Sequence, residues 1–374
     1  MNIQMVDVKS QYLKIKEEVD SGIQEVLDTT AFINGPKVKQ FQQELAAYLG
    51  VKYVIPCANG TDALQIAMMA VGLKPGDEII VPAFTYVATA EVIALLGLTP
   101  IMVDVDPDTF NVSIESIIHA ISPRTKAIVP VHLYGQAANM EAIMEIAKKH
   151  HLYIIEDNAQ AIGADYTFSD GRTAKTGTIG HIGCTSFYPS KNLGCYGDGG
   201  AIFTNDDELG DLLHKIANHG QSVRYYHDVI GCNSRLDSIQ AVVLSAKLPH
   251  LDNYCDARRQ VAEYYDKAFA SIPQVQTPKR FPQSTHVFHQ YTLRIKDGRR
   301  DEFKKYLDDH HIPSMIYYPV PLYKQEAFQP FARGIDYLEH TETLCKEVIS
   351  LPIHTEMTDE QLEHIITIVQ QFFD

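Results

Sequence analysis

The chain has 374 residues, 45% of them apolar and 21% charged, which excludes a disordered or collagen-like polymer and allows a large core. Acidic residues outnumber basic ones by 47 to 32, for a net charge of −15, and no basic tract is present; this excludes a nucleic-acid or anionic-membrane partner while leaving room for an anionic small molecule in a locally basic cleft. No stretch approaches the ~18 uninterrupted apolar residues of a membrane span, and the first residues, MNIQMVDVKSQYLKIKEEVD, carry interspersed charge instead of a signal-peptide core.

In chain order, Tyr12, Ile15, Val19, Ile23 and Val26 recur at helical spacing and predict one amphipathic helix over the first thirty residues, broken by Gly35-Pro36. From about residue 37 to 205, short apolar runs alternate with helical patterns. The runs are YVIPC (53–57), EIIVPA (78–83), PIMVDV (100–105), AIVPVHL (127–133), YIIED (153–157), CTSFYP (184–189) and AIFTN (201–205). Segments such as TDALQIAMMAVGL (61–73) and ANMEAIMEIAKKHH (138–151) lie between them. That alternation predicts an α/β fold with a largely parallel sheet covered on both faces. A long helical stretch, Ser234 to Phe269, is interrupted near Pro249. Beyond Pro273 the pattern turns to a smaller α+β unit, with HQYTLRI (289–295) as a strand and RRDEFKKYLDDHH and DEQLEHIITIVQQFF as helices. The expected division is a large domain, 1–250, and a small C-terminal domain, 251–374. Six scattered cysteines without CxxC or zinc spacing read as reduced thiols of a cytoplasmic protein. The pairs His150–His151 and His310–His311 lack a third ligand and read as solvent-facing, so no metal is expected.

Open parallel sheets bind ligands beyond the carboxyl ends of their strands, so the polar residues following each run carry the functional reading. Asn59-Gly60-Thr61-Asp62 opens a helix and suits an anion, although a plain N-cap by Thr61 or Asn59 reads equally well. Phe84-Thr85-Tyr86 places an aromatic where it would stack on a planar ring or simply pack. Glu156 and Asp157 end a buried strand, where a carboxylate needs a partner: a protonated heterocyclic nitrogen, a cap or an ion pair. Ser186-Phe187-Tyr188-Pro189-Ser190-Lys191 then leads into a glycine-rich turn (Gly194, Gly197, Gly199, Gly200) between two strands. A lysine held there suits a lowered pKa and imine formation. The glycines precede a strand, so they are not a dinucleotide fingerprint, and no GxxxxGK[ST] motif is present. Together these segments fit one ligand, a flat phosphorylated aldehyde with a pyridinium nitrogen, namely pyridoxal 5′-phosphate.

FTYVATAE, IEDNAQAIGADY, SFYPSKNLGCYGDGGAIFTND, GCNSRLDSIQAVVLSAKL and VISLPIH (348–354) resemble the DegT/DnrJ/EryC1/StrS sugar aminotransferases over essentially the whole chain. The stretches CANGTDALQIA, LYGQ, HGQ and NSRLD are most similar to those of UDP-2-acetamido-2-deoxy-3-keto-glucuronate (ribo-hexuluronate) aminotransferases. The resemblance implies the type I, aspartate aminotransferase-like fold. It also implies a dimer with shared active sites, glutamate as amino donor and a place in lipopolysaccharide O-antigen or related glycan synthesis. It makes Lys191 the cofactor-binding lysine, Asp157 the partner of the pyridinium nitrogen and Gln160 the neighbour of the ring hydroxyl. Gly60, Thr61 and Ser186 become phosphate contacts, and Tyr86 the stacking ring. Asn233 would reach the neighbouring subunit's cofactor phosphate, Arg235 its substrate, and Tyr317 and Tyr318 would line the sugar pocket. Two positions depart from the pattern. Tyr317 stands where the uronate enzymes carry His, and Tyr-Tyr-Pro also resembles the 3-keto-6-deoxyhexose branch, so C6 as carboxylate or methyl stays open. Asn158 stands where Ala is common. Arg235 also has a second reading, an ion pair with Asp237. A lyase of the sugar 3-dehydratase kind would carry His in place of Lys191.

Overall fold

The computed structural model describes residues 3–332, 334–335 and 337–374. Its strands in chain order begin with β1 (Tyr53–Cys57), β2 (Glu78–Pro82), β3 (Thr99–Val103), β4 (Thr125–Ile128) and β5 (Tyr153–Asp157). Next come β6 (Asp165–Thr167), β7 (Thr173–Lys175), β8 (Ile182–Ser186), β9 (Gly200–Thr204), β10 (Gln221–Val223) and β11 (Tyr226–His227). The last are β12 (Val275–Gln276), β13 (Tyr291–Ile295) and β14 (Val348–Leu351).

The main sheet has seven strands in the order β1-β9-β8-β5-β4-β2-β3. β9 is antiparallel to both neighbours and the remaining pairs are parallel. Six strands therefore end along one edge, with β9 starting there. Every residue of β2 and β9 is buried, the mark of strands covered on both faces. Pro56 sits on the outer strand β1, where its missing N–H costs no ladder bond. Helix Gly60–Ala70 buries Ala63, Ala67 and Ala70 with Leu64, Ile66 and Met68, and the small residues let it lie close on the sheet.

Some boundaries differ from the sequence pattern. The N-terminal helix is two, Val8–Lys14 and Lys16–Thr29, broken at Ile15 (φ −119°, ψ 17°). Ile15 and Val19 then bury against Val243 and Ala246. Gly35-Pro36 starts a helix, Pro36–Leu49, because proline's fixed φ suits the first turn. In the run 127–133 the regular strand ends at Ile128, and the chain stays beside β5 through a parallel bridge between Val131 and Asp157. Pro130 has no N–H to continue the ladder, and its carbonyl accepts from the Asp157 N–H at 2.9 Å. β8 ends at Ser186, before Pro189.

The strands β12–β13–β14 form a separate antiparallel sheet. Tyr291, Leu293 and Ile349 of this sheet pack with Tyr265, Phe269, Phe303, Ile365 and Val369 from the surrounding helices. Buried Arg258, on helix Leu251–Phe269, donates to the carbonyls of Phe288 and Ile353, each at 3.0 Å. Burial lowers its pKa to about 10. All six cysteines are free, and no helix among the described residues is long and apolar enough to cross a membrane.

Candidate active site

At the β1 end of the edge, Asn59 caps helix Gly60–Ala70, its Oδ1 accepting from the Asp62 N–H at 2.8 Å. The first-turn N–H groups of Gly60 and Thr61 thus stay free, as does the Thr61 hydroxyl among the described residues. Ser186, at the end of β8, lies against them: a Cβ on Gly60 would sit 2.7 Å from the Ser186 Cβ, so only glycine permits the approach. Two backbone amides and two hydroxyls therefore converge at a helix N-terminus, a donor set suited to a phosphate.

Glu156 and Asp157 project to opposite faces of β5 and meet different fates. Fully buried Glu156 accepts from the backbone N–H groups of Gly177 (2.8 Å), Ile179 (2.7 Å) and Gly180 (2.5 Å). It also accepts from His132 Nε2 at 2.8 Å, whose Nδ1 in turn accepts from the Ala138 N–H. Glu156 is thereby a structural anchor for the 177–180 loop. Asn158 serves the same loop, donating from Nδ2 to the Thr176 carbonyl at 3.0 Å. That gives the departure from alanine a packing role.

Asp157 is 6% exposed and faces the site. Its Oδ2 accepts from the Thr89 hydroxyl at 2.7 Å and its Oδ1 from the Ala159 N–H at 3.1 Å. No cation pairs with it among the described residues, which leaves a buried carboxylate with capacity for a further donor. Thr89 was not singled out from the sequence, since a threonine inside an apolar helical run carries no distinguishing signal.

Lys191 follows β8 in a turn fixed at several points. Buried Lys247 donates to the Gly194 carbonyl at 2.7 Å and lies 4.6 Å from the Tyr196 ring centroid. Asn192 donates to the Val287 carbonyl at 2.8 Å. The glycines here serve close approach and not left-handed backbone: a Cβ on Gly200 would meet the Asn59 carbonyl carbon at 2.5 Å. Desolvation lowers the Lys191 pKa to about 8, against the opposing pull of the Asp157 charge. Its Nζ lies 3.4 Å from Nε2 of His289, a residue the strand pattern HQYTLRI gave no reason to select.

The aromatic side is connected by hydrogen bonds. Gln160 Oε1 accepts from the Tyr134 N–H at 2.8 Å, and its Nε2 donates to the Tyr318 hydroxyl at 3.1 Å. The Tyr318 ring lies 6.3 Å from that of Tyr86, which is 57% exposed and so presents a free face. The Tyr134 hydroxyl donates to the Tyr317 carbonyl. The Thr85 hydroxyl and His289 Nδ1 are buried without hydrogen-bond partners among the described residues.

Asn233 and Arg235 are not drawn into this cluster. Ser234 between them turns inward, donating to Asp62 Oδ2 at 2.6 Å and accepting from the Ala58 N–H at 3.0 Å. Asn233 is exposed, and neither it nor Arg235 makes a side-chain hydrogen bond or ion pair among the described residues; the Arg235–Asp237 pair does not form.

The donor set at Gly60, Thr61 and Ser186, the open carboxylate of Asp157, the free face of Tyr86 and the low-pKa amine of Lys191 fit a flat, phosphorylated ring with a basic nitrogen and a carbonyl.

Residues 13–370 match the DegT/DnrJ/EryC1/StrS aminotransferase family. The chain is 44% identical, over all of its length and 99% of the relative, to a protein from Geobacillus stearothermophilus named pleiotropic regulatory protein. It is 45% identical to the UDP-2-acetamido-2-deoxy-3-oxo-D-glucuronate aminotransferase of Pseudomonas aeruginosa, over 94% of this chain and 95% of that one. Among solved structures it resembles NtdA from Bacillus subtilis with bound cofactor PMP, at TM-score 0.90 and 31% identity, covering all of this chain and 85% of that one.

Proposed function

The chain belongs to the DegT/DnrJ/EryC1/StrS aminotransferase family, and from that premise we propose that it moves an amino group from glutamate to C3 of a 3-keto nucleotide sugar, with UDP-2-acetamido-3-keto-glucuronate as the leading substrate. It is a pyridoxal 5′-phosphate-dependent transaminase of the type I fold. The observation that carries the reading is the Lys191 amine, its pKa lowered to about 8 by desolvation, in the field of the Asp157 carboxylate, which pairs with no cation among the described residues.

In this assignment Gly60, Thr61 and Ser186 would hold the cofactor phosphate, Tyr86 would cover the ring, Gln160 would meet the ring hydroxyl and Asp157 would hold a proton on the ring nitrogen. When bound, pyridoxal phosphate supplies a carbonyl carbon for the amine and a ring that accepts electron density. With the cofactor present, Lys191 would hold its carbonyl carbon, and as a free amine it would stand beside the substrate carbon as the proton carrier. At pH 7 a pKa near 8 leaves about one lysine in ten neutral, against about one in three thousand at the ordinary value. Tyr317 and Tyr318 bound the space where the keto sugar enters.

The chemistry of the sugar is read from the Pseudomonas relative, while Tyr317 at the histidine position favours a dTDP-3-keto-6-deoxyhexose as the alternative. The test is product analysis by NMR after incubation with glutamate and a panel of UDP- and dTDP-linked 3-keto sugars. A 3-amino uronate product supports the leading reading, a 3-amino-6-deoxyhexose the alternative, and no amino sugar from any member refutes both.

A homodimer with shared sites is part of the proposal. Val223, Tyr225, Tyr226 and Ile230 form an exposed apolar stretch along the β10–β11 hairpin, with Ile230 86% exposed. A surface of that kind calls for cover. It is continuous in sequence with Asn233 and Arg235, whose side chains make no hydrogen bond or ion pair among the described residues. Arg235 reaching the neighbouring site would supply positive charge for a diphosphate despite the net charge of −15. Mixing inactive Lys191→Ala with inactive Arg235→Ala subunits is expected to restore activity, up to roughly a quarter of wild type if subunits pair at random and one intact site per hybrid works. Absence of rescue after confirmed subunit exchange counts against shared sites. A cytoplasmic location and a role in O-antigen or related glycan synthesis complete the proposal.

A further inference from the structure

We propose that His289 is a positioning residue for Lys191, accepting a hydrogen bond at Nε2 that holds the lysine amine in place and favours its protonated form. The inference rests on the proposed role of Lys191 as proton carrier. Two donors converge on this nitrogen: Lys191 Nζ and Gln290 Nε2, each at 3.4 Å. In the proposed arrangement Nε2 accepts from both, which places the ring proton on Nδ1, an atom buried with no hydrogen-bond partner among the described residues. A neutral imidazole is required for this role. Burial and the charges of Lys191 and Arg258 hold the His289 pKa well below its ordinary value.

The backbone keeps the pair in register. Arg258 donates to the His289 carbonyl at 3.4 Å and to that of Phe288 at 3.0 Å. Asn192, next to Lys191, bonds the Val287 carbonyl, so the turn bearing the lysine and the segment bearing the histidine are joined directly. The Asp157 charge works against desolvation at Lys191, and in the proposal the His289 acceptor is a second group that favours the charged amine. With the histidine's hydrogen bond gone, only Asp157 would remain, and the amine would shed its proton more easily.

The test titrates Lys191 in the full-length, cofactor-free protein. A trace pulse of acetic anhydride at a series of pH values, read at Lys191 by mass spectrometry, gives the midpoint for the neutral amine. Lys247, also buried but bonded elsewhere, is the internal control. His289→Leu is expected to lower the Lys191 midpoint by about one pH unit, the size of a hydrogen bond to a charged group, with Lys247 unchanged. His289→Gln, which retains an acceptor, is expected to return the midpoint close to wild type. An unchanged Lys191 midpoint in His289→Leu, with the Lys247 profile intact, overturns the proposal. Should both lysines move to ordinary values, the Leu variant has lost its fold, and His289→Asn, whose amide is too short to reach Nζ, decides by the same criterion. The readout does not involve turnover: a shifted midpoint together with an active Lys191→Ala enzyme would refute the lysine's catalytic role and leave the contact standing.

Discussion

Lys191→Ala is expected to abolish turnover, to below about one ten-thousandth of wild type, because in the proposed mechanism one side chain would both hold the cofactor's carbonyl carbon and carry the proton. The fold should survive. The amine's hydrogen-bond contact is the long one to His289, while the turn around it is held by Lys247 and Asn192. The substitution should even remove a penalty. A lysine whose pKa falls from 10.5 to about 8 on folding binds fewer protons in the native state between those values. Its contribution to stability therefore rises with pH through that window and is unfavourable below it, with an upper limit of about 3 kcal/mol. In urea unfolding between pH 7 and 9, wild type is expected to gain more stability with rising pH than Lys191→Ala. Turnover within tenfold of wild type in Lys191→Ala would remove the basis for the mechanism.

Asp157→Asn is the second large effect. A carboxylate favours a proton on the ring nitrogen, and a neutral amide of the same shape does not, so the ring loses its pull on electrons. The expected loss in kcat is about 10²- to 10⁴-fold, with cofactor retained at Gly60, Thr61, Ser186 and Lys191. The amide oxygen still accepts from Ala159, and the Thr89 hydroxyl can rotate to accept from the new amide, so stability should change little. Steady-state kinetics with glutamate and the accepted sugar checks it. A kcat within threefold of wild type would show that the ring nitrogen has no need of this carboxylate.

The reading of the sheet from sequence succeeded where strands are apolar on both faces. Such runs are continuous and need no period to be seen, and β1, β2, β5 and β9 fall where the runs do. It failed at positions governed by three-dimensional context. Ile15 fits the helical period and nevertheless breaks the helix to reach Val243. The hairpins β6–β7 and β10–β11 have strands of two or three residues, too short for alternation to register. Within the site, Lys191 and Asp157 stood out because each follows an apolar run and charge there is costly to bury. Glu156 looked equivalent to Asp157 in sequence; strand alternation separated them, sending Glu156 to backbone N–H groups contributed more than twenty residues later. Thr89 and His289 act through atoms that only the fold brings to Asp157 and Lys191. No local signal marks a residue whose partner is 68 or 98 positions away.

The most direct test of the central claim is the visible spectrum of the purified protein after reconstitution with pyridoxal phosphate. The account predicts an absorption band that depends on Lys191, bleaches when glutamate is added and returns on adding one 3-keto nucleotide sugar. A band that ignores glutamate and every sugar, or no Lys191-dependent band at all, would contradict it.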